Sequence, residues 1–72
     1  MPYWIKIEDV SVQRWALIVV TSEAQATQLS SADAREALKG AQRDYPDCVW
    51  IVVPLTRDRC LVAGEAKRKP FH

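Results

Sequence analysis

Histidine occurs once in this 72-residue chain, as the final residue His72, and glycine and cysteine occur only twice each. Each scarcity removes a class of chemistry. Catalysis brings a nucleophile to a base, pairs two carboxylates or assembles a metal, and these groups converge on a pocket. A lone histidine at the chain end is poorly placed for such work, so no enzyme is expected and no catalytic residue is assigned. With only Gly40 and Gly64, neither glycine-rich phosphate loop, GxGxxG or GxxxxGK[ST], can be written. Cys48 and Cys60 lack CxxC spacing and have no nearby histidine, which argues against structural zinc. They read as small buried hydrophobes, and neither a metal nor a cofactor is expected.

Long apolar runs are also missing. Trp15 to Val20 is six residues against the ~20 that a bilayer-spanning helix requires, and Arg14 closes it. Met1 to Glu8 lacks the basic start, apolar stretch and small-residue cleavage site of a secretory signal. No membrane association is expected, and a cytosolic location is the default. A net charge of +1 provides no global field toward a polyanion, so any nucleic-acid binding has to come from local clustering.

What the chain does contain is the balance of a folded globule, 49% apolar and 26% charged residues, whereas disorder goes with few hydrophobes and high net charge. A chain of this length buries only ~60% of its unfolded surface, enough for one core, so residues 1–72 are read as a single domain.

Tyr3, Ile5 and Ile7 alternate with Trp4, Lys6 and Glu8, the period of two of a strand with one inward face. After a connection through Asp9 to Gln13, the segment Trp15 to Thr21 is β-branched and apolar on both faces, as expected of a central strand. Ser22 to Leu29 is read as irregular or briefly extended. Ser30-Ser31-Ala32-Asp33 then places a hydroxyl three residues before an acid, in the manner of a capping box, and predicts a helix start. Ala34, Ala37, Leu38, Ala41 and Tyr45 share one stripe of a 3.6-residue repeat, which predicts the face turned to the sheet. Gly40 costs about 1 kcal/mol relative to alanine inside that helix. Pro46 ends it.

Cys48 to Leu55 and Cys60 to Ala66 are two further strands, joined by the polar loop Thr56-Arg57-Asp58-Arg59. Setting Leu55 opposite Cys60 pairs Val53 with Val62, Ile51 with Gly64 and Val49 with Ala66, an entirely apolar inner face. The reverse face then carries Trp50 opposite Glu65, Val52 opposite Ala63 and Pro54 opposite Leu61. In this register Cys48 lies ~23 Å along the strand from Cys60, and no intramolecular disulfide is expected. The tail from Lys67 to His72 turns basic, meets a proline and is expected to fray. The expectation is an α+β fold, one helix packed on an antiparallel sheet of about four strands, in the order ββαββ.

Three features point to binding. Arg35, Lys39 and Arg43 recur at i, i+4 and i+8; like charges at this spacing repel slightly, and stability alone favours alternating signs, so the row suggests an acidic partner. Its bland counterpart is a solvated face, moderated by Asp33, Glu36 and Asp44. Trp4 and Trp50 are expected on the sheet face away from the helix, where with Val52 and Leu61 they form an exposed apolar patch of the kind that marks interfaces. A covering loop or tail is the alternative. Arg57 and Arg59 flank an acid at a hairpin tip and can meet phosphate or carboxylate, or serve simply as soluble turn residues.

The element order in so short a chain, with a helix opened by Leu29-Ser30-Ser31 and continued by Ala34-x-x-Ala37, resembles several small phage-encoded anti-CRISPR proteins. The resemblance is one of layout, shared by many small α/β domains. It implies a non-enzymatic inhibitor of phage or mobile-element origin that docks on a host protein or ribonucleoprotein complex, such as an RNA-guided CRISPR surveillance complex, and blocks target binding. No family residue carries over. The residues themselves support a binding protein with Trp4 and Trp50 as anchors and Arg35, Lys39 and Arg43 as steering charges. Two readings compete with it: a nucleic-acid-binding domain using those cations with Arg57, Arg59 and the Lys67 to Lys69 tail, and a structural homodimer formed by sheet faces or edges.

Overall fold

The structure, a computed structural model, describes residues 2–11 and 14–67. The expected fraying of the tail, its cations beyond Lys67, and the lone histidine lie outside the described residues. Strands β1 (Pro2–Ser11), β2 (Arg14–Val20), β3 (Cys48–Pro54) and β4 (Cys60–Ala66) form one antiparallel sheet in the order β2-β1-β4-β3, with a single helix α1 (Ser31–Asp44) between β2 and β3 in sequence. This is the ββαββ, α+β arrangement that the patterning predicts.

The helix begins where the capping signal places it. The Ser30 side chain accepts a hydrogen bond from the Asp33 amide at 3.2 Å, satisfying one of the donors left over in the first turn. Ala34, Ala37 and Ala41 are fully buried and Leu38 and Tyr45 pack against the same cluster, so the predicted stripe is the one that meets the sheet. Its alanines contribute little volume, and the sheet has to supply the large side chains. Ile5, Trp50 and Val62 do so.

The hairpin register differs from the expected one by a single residue. Pro54, not Leu55, lies opposite Cys60, and Val53, Val52, Ile51 and Trp50 face Leu61, Val62, Ala63 and Gly64. Because strand side chains alternate, a one-residue slip exchanges the two faces. Trp50 and Val52 therefore point toward the helix, and Val49, Ile51 and Val53 point away from it. The physical reason is volume. Trp50 lies over Gly64, where a Cβ would stand 2.5 Å from Cζ3 and 2.7 Å from Cδ2 of the indole, and its ring fills the space that the alanines leave. Its Nε1–H donates to the Tyr45 carbonyl at 3.0 Å, and the two rings meet tilted, with centroids 6.2 Å apart. Leu55 belongs to the loop instead, its amide donating to the Arg59 carbonyl.

The second strand departs from its expected place. Although apolar on both faces, β2 sits at an edge of the sheet, beside β1 only. The segment read as irregular forms a 3₁₀ turn, Glu23–Gln25, followed by an extended stretch that wedges between β1 and β4. There the Thr27 amide donates to the Ile5 carbonyl, the Ile7 amide donates to Thr27 Oγ1 at 2.8 Å, and Leu29 exchanges backbone hydrogen bonds with Cys60. This wedge extends the sheet where β1 and β4 diverge, so that the backbone groups of Ile5 and Ile7 stay paired. Cys48 and Cys60 are free thiols, about 20 Å apart along the ladder at ~3.3 Å per residue.

Candidate functional site

The helix covers one face of the sheet. On the other, Val20, Trp4, Ala63 and Ile51 form a cross-strand row, because Trp4 pairs with both Val20 and Ala63, and Ala63 with Ile51. Every member is apolar, and the row spans all four strands. Beside it Ile51 is 57% and Val49 54% exposed. Lys6 and Glu8 lie on the same face and neutralise one another at 3.5 Å. Leu61 also belongs to this face, yet it is buried, next to Ala24, Ala26 and Leu55. The turn at residues 23–25 therefore closes one end of the surface and leaves the rest open.

Of the two tryptophans expected as anchors, Trp4 is on this face, half-buried. Trp50 is not available: at 4% exposure it is a core residue under the helix, and Val52 turns inward with it. Val49 and Ile51 take their place. No local signal announced this, because Cys48 to Leu55 is apolar in both phases and the partner of Gly64 follows only from the register.

A second surface lies between α1 and β2. The helix rests mainly over β3 and β4, and the uncovered strip of the inner face forms an open groove of about 810 Å³ that brings Lys39 and Arg43 together with Arg14 and Trp15. Trp15, 40% exposed, went unnoticed in the sequence because its strand looked central; at an edge it becomes the groove's apolar wall. Glu36 and Asp44 also line the groove, and Arg43 Nε donates to Asp44 Oδ1 at 3.2 Å. That pair reduces the positive charge the row of cations offers. Arg35 is exposed one turn earlier and does not line the groove. Arg57 and Arg59 are exposed in the β3–β4 loop, a different element, which is held by the Asp58 amide donating to Thr56 Oγ1.

Among the described residues no three histidine, cysteine, aspartate or glutamate side chains come together as metal ligands. No helix among the described residues is long and apolar enough to cross a membrane. Compared with protein-family models, with curated proteins and with solved structures, the chain matches none of them.

Proposed function

We propose that this chain is a non-enzymatic binding protein that docks on another protein through the open face of its sheet, with Trp4, Ile51 and Val49 as the anchoring side chains. The observation that carries this reading is the uninterrupted apolar row Val20–Trp4–Ala63–Ile51 on a face without a helix layer. A monomeric domain seldom leaves a contiguous apolar surface to water unless something binds it, and aromatic side chains near the centre of such a patch contribute most of the affinity. The partner class suggested by the element order is a host protein or ribonucleoprotein complex, with this chain as its inhibitor.

Pull-down from a lysate of the host cell compares the wild type with Trp4→Ala, Ala63→Glu and the double charge reversal Lys39→Glu/Arg43→Glu. The sheet-face reading expects the first two to lose a partner that the third retains. Loss with the charge reversal alone would overturn it.

A second reading rests on the groove, where Trp15 stands beside Lys39, Arg43 and Arg14. An aromatic platform flanked by cations suits single-stranded nucleic acid, with a base stacked on the indole and phosphates on the cations. It expects a gel shift that weakens steeply with salt and disappears in Trp15→Ala; no shift at low salt would remove it.

A further inference from the structure

We propose that β3 pairs edge to edge with β3 of a second copy of this chain, giving a two-fold dimer with a continuous eight-stranded sheet. The case begins with which backbone groups face outward. At one end of the β3–β4 ladder the Leu55 amide donates to Arg59 O, and at the other the Lys67 amide donates to Asp47 O. Both β3-side positions are odd, and the register between them is unbroken. In an antiparallel ladder the hydrogen-bonded positions alternate, so odd residues of β3 turn their backbone groups toward β4 and even residues turn theirs toward the open edge. The amide and carbonyl of Trp50 and of Val52 therefore point outward, where no described strand pairs with them. Pro54 has the same parity, so its missing N–H falls on the open side, where an edge strand tolerates proline.

The strand is self-complementary about Ile51. Pairing 50 with 52 of the second copy, and 52 with 50, makes four backbone hydrogen bonds and sets Ile51 against Ile51 and Val49 against Val53 on the outer face. All of these are apolar, and Ile51 and Val49 are the two most exposed large hydrophobics among the described residues. None of the seven residues Cys48–Pro54 is charged, so nothing in the strand repels its copy. Natural edges are usually protected by charge or irregularity. The other edge, β2, has such protection: it begins on Arg14, its pairing with β1 is irregular between Asp9 and Ser11, and its Leu17 carbonyl accepts the Tyr45 hydroxyl. β3 has only Pro54 at its end. The occupant this edge fits is another β3, and the pairing also joins two open faces into one surface of twice the width.

The interface is short, at the small end of specific association, so the equilibrium is measured by sedimentation velocity of the full chain up to about 1 mM, which reaches dimers with a Kd in the millimolar range. Concentration-dependent doubling of mass is expected. Ile51→Lys, an exposed change that brings two ammonium groups together at the two-fold axis, should weaken dimerisation at least tenfold with an unchanged circular dichroism spectrum.

Val52→Pro removes the outward amide together with an inward side chain packed against the core, so it is read only with an unchanged circular dichroism spectrum, where it should weaken dimerisation too, whereas a dimer stacked face to face would keep its mass. In a Cys48→Ser background, Ile51→Cys should form a disulfide dimer on mild oxidation, because opposed residues in a non-hydrogen-bonded pair approach to ~4.5 Å. Val53→Cys, ~13 Å from its own copy, should not. A monomer at every concentration, or cross-linking of Val53→Cys as efficient as that of Ile51→Cys, would overturn the proposal. This outcome is independent of the pull-down, whose variants lie on β1, β4 and α1.

Discussion

Replacing Gly64 with alanine adds a single methyl group and should be among the more damaging small changes in this protein. The added Cβ would lie 2.5 Å from Cζ3 and 2.7 Å from Cδ2 of Trp50, and closer still to Cε3. No carbon–carbon contact tolerates that approach, and neither partner yields easily. Gly64 is held between β1 and β3 by its pairing with Tyr3 and Trp50, and the indole is a rigid plane fixed by its hydrogen bond to Tyr45 O. Overpacking of this kind costs about 1–3 kcal/mol, while alanine returns roughly 0.5–1 kcal/mol by restricting the unfolded chain. The difference runs from about 0 to 2.5 kcal/mol, and contacts this short belong to its upper half, a net loss of about 1–2.5 kcal/mol, which is large for a domain whose total stability, scaled by length, is roughly 4–11 kcal/mol. It should lower Tm by about 4–8 °C per kcal/mol.

Urea denaturation followed by far-ultraviolet circular dichroism measures the loss, and a double-mutant cycle with Trp50→Leu isolates its cause. Once the indole is gone the alanine methyl has room, so Gly64→Ala should be neutral or slightly stabilising in that background. Equal cost in both backgrounds, or a cost below about 0.5 kcal/mol in the wild type, would refute the argument that Trp50 and Gly64 set the register through volume.

Three further substitutions test the local arguments by the same denaturation assay. Ser30→Ala removes the helix cap and should cost about 1 kcal/mol, with Ser30→Asp close to wild type. Thr27→Val keeps the shape of the wedge but leaves the Ile7 amide without its acceptor, for a loss of about 1–3 kcal/mol. Tyr45→Phe deletes the 2.6 Å hydrogen bond to Leu17 O that ties the end of the helix to the edge strand, and should cost about 1 kcal/mol while leaving the Trp50 contact intact.

Much of this architecture is visible in the order of the residues, because the relevant physics is local. Alternation at Tyr3, Ile5 and Ile7, the hydroxyl at Ser30, the 3.6-residue recurrence from Ala34 to Tyr45 and the stop at Pro46 each act within a few positions. Together they determine the first strand and the helix, and the largely apolar runs Trp15 to Thr21, Cys48 to Leu55 and Cys60 to Ala66 determine three more strands. The faces of the hairpin were not open to the same reasoning, since Cys48 to Leu55 is apolar in both phases and its alternation carries no information. Only the assembled core, with an alanine-lined helix on one side and Gly64 on the other, required a large ring at one position and so turned Trp50 inward and Ile51 outward. The same holds for Trp15, whose exposure depends on β2 lying at an edge, and for Lys39 and Arg43, which meet it only because the helix sits over β3 and β4. The sequence alone thus determined the elements and that a cationic row and an apolar surface exist, whereas which side chains reach water was decided by tertiary packing, because filling one core fixes the phase of every strand around it.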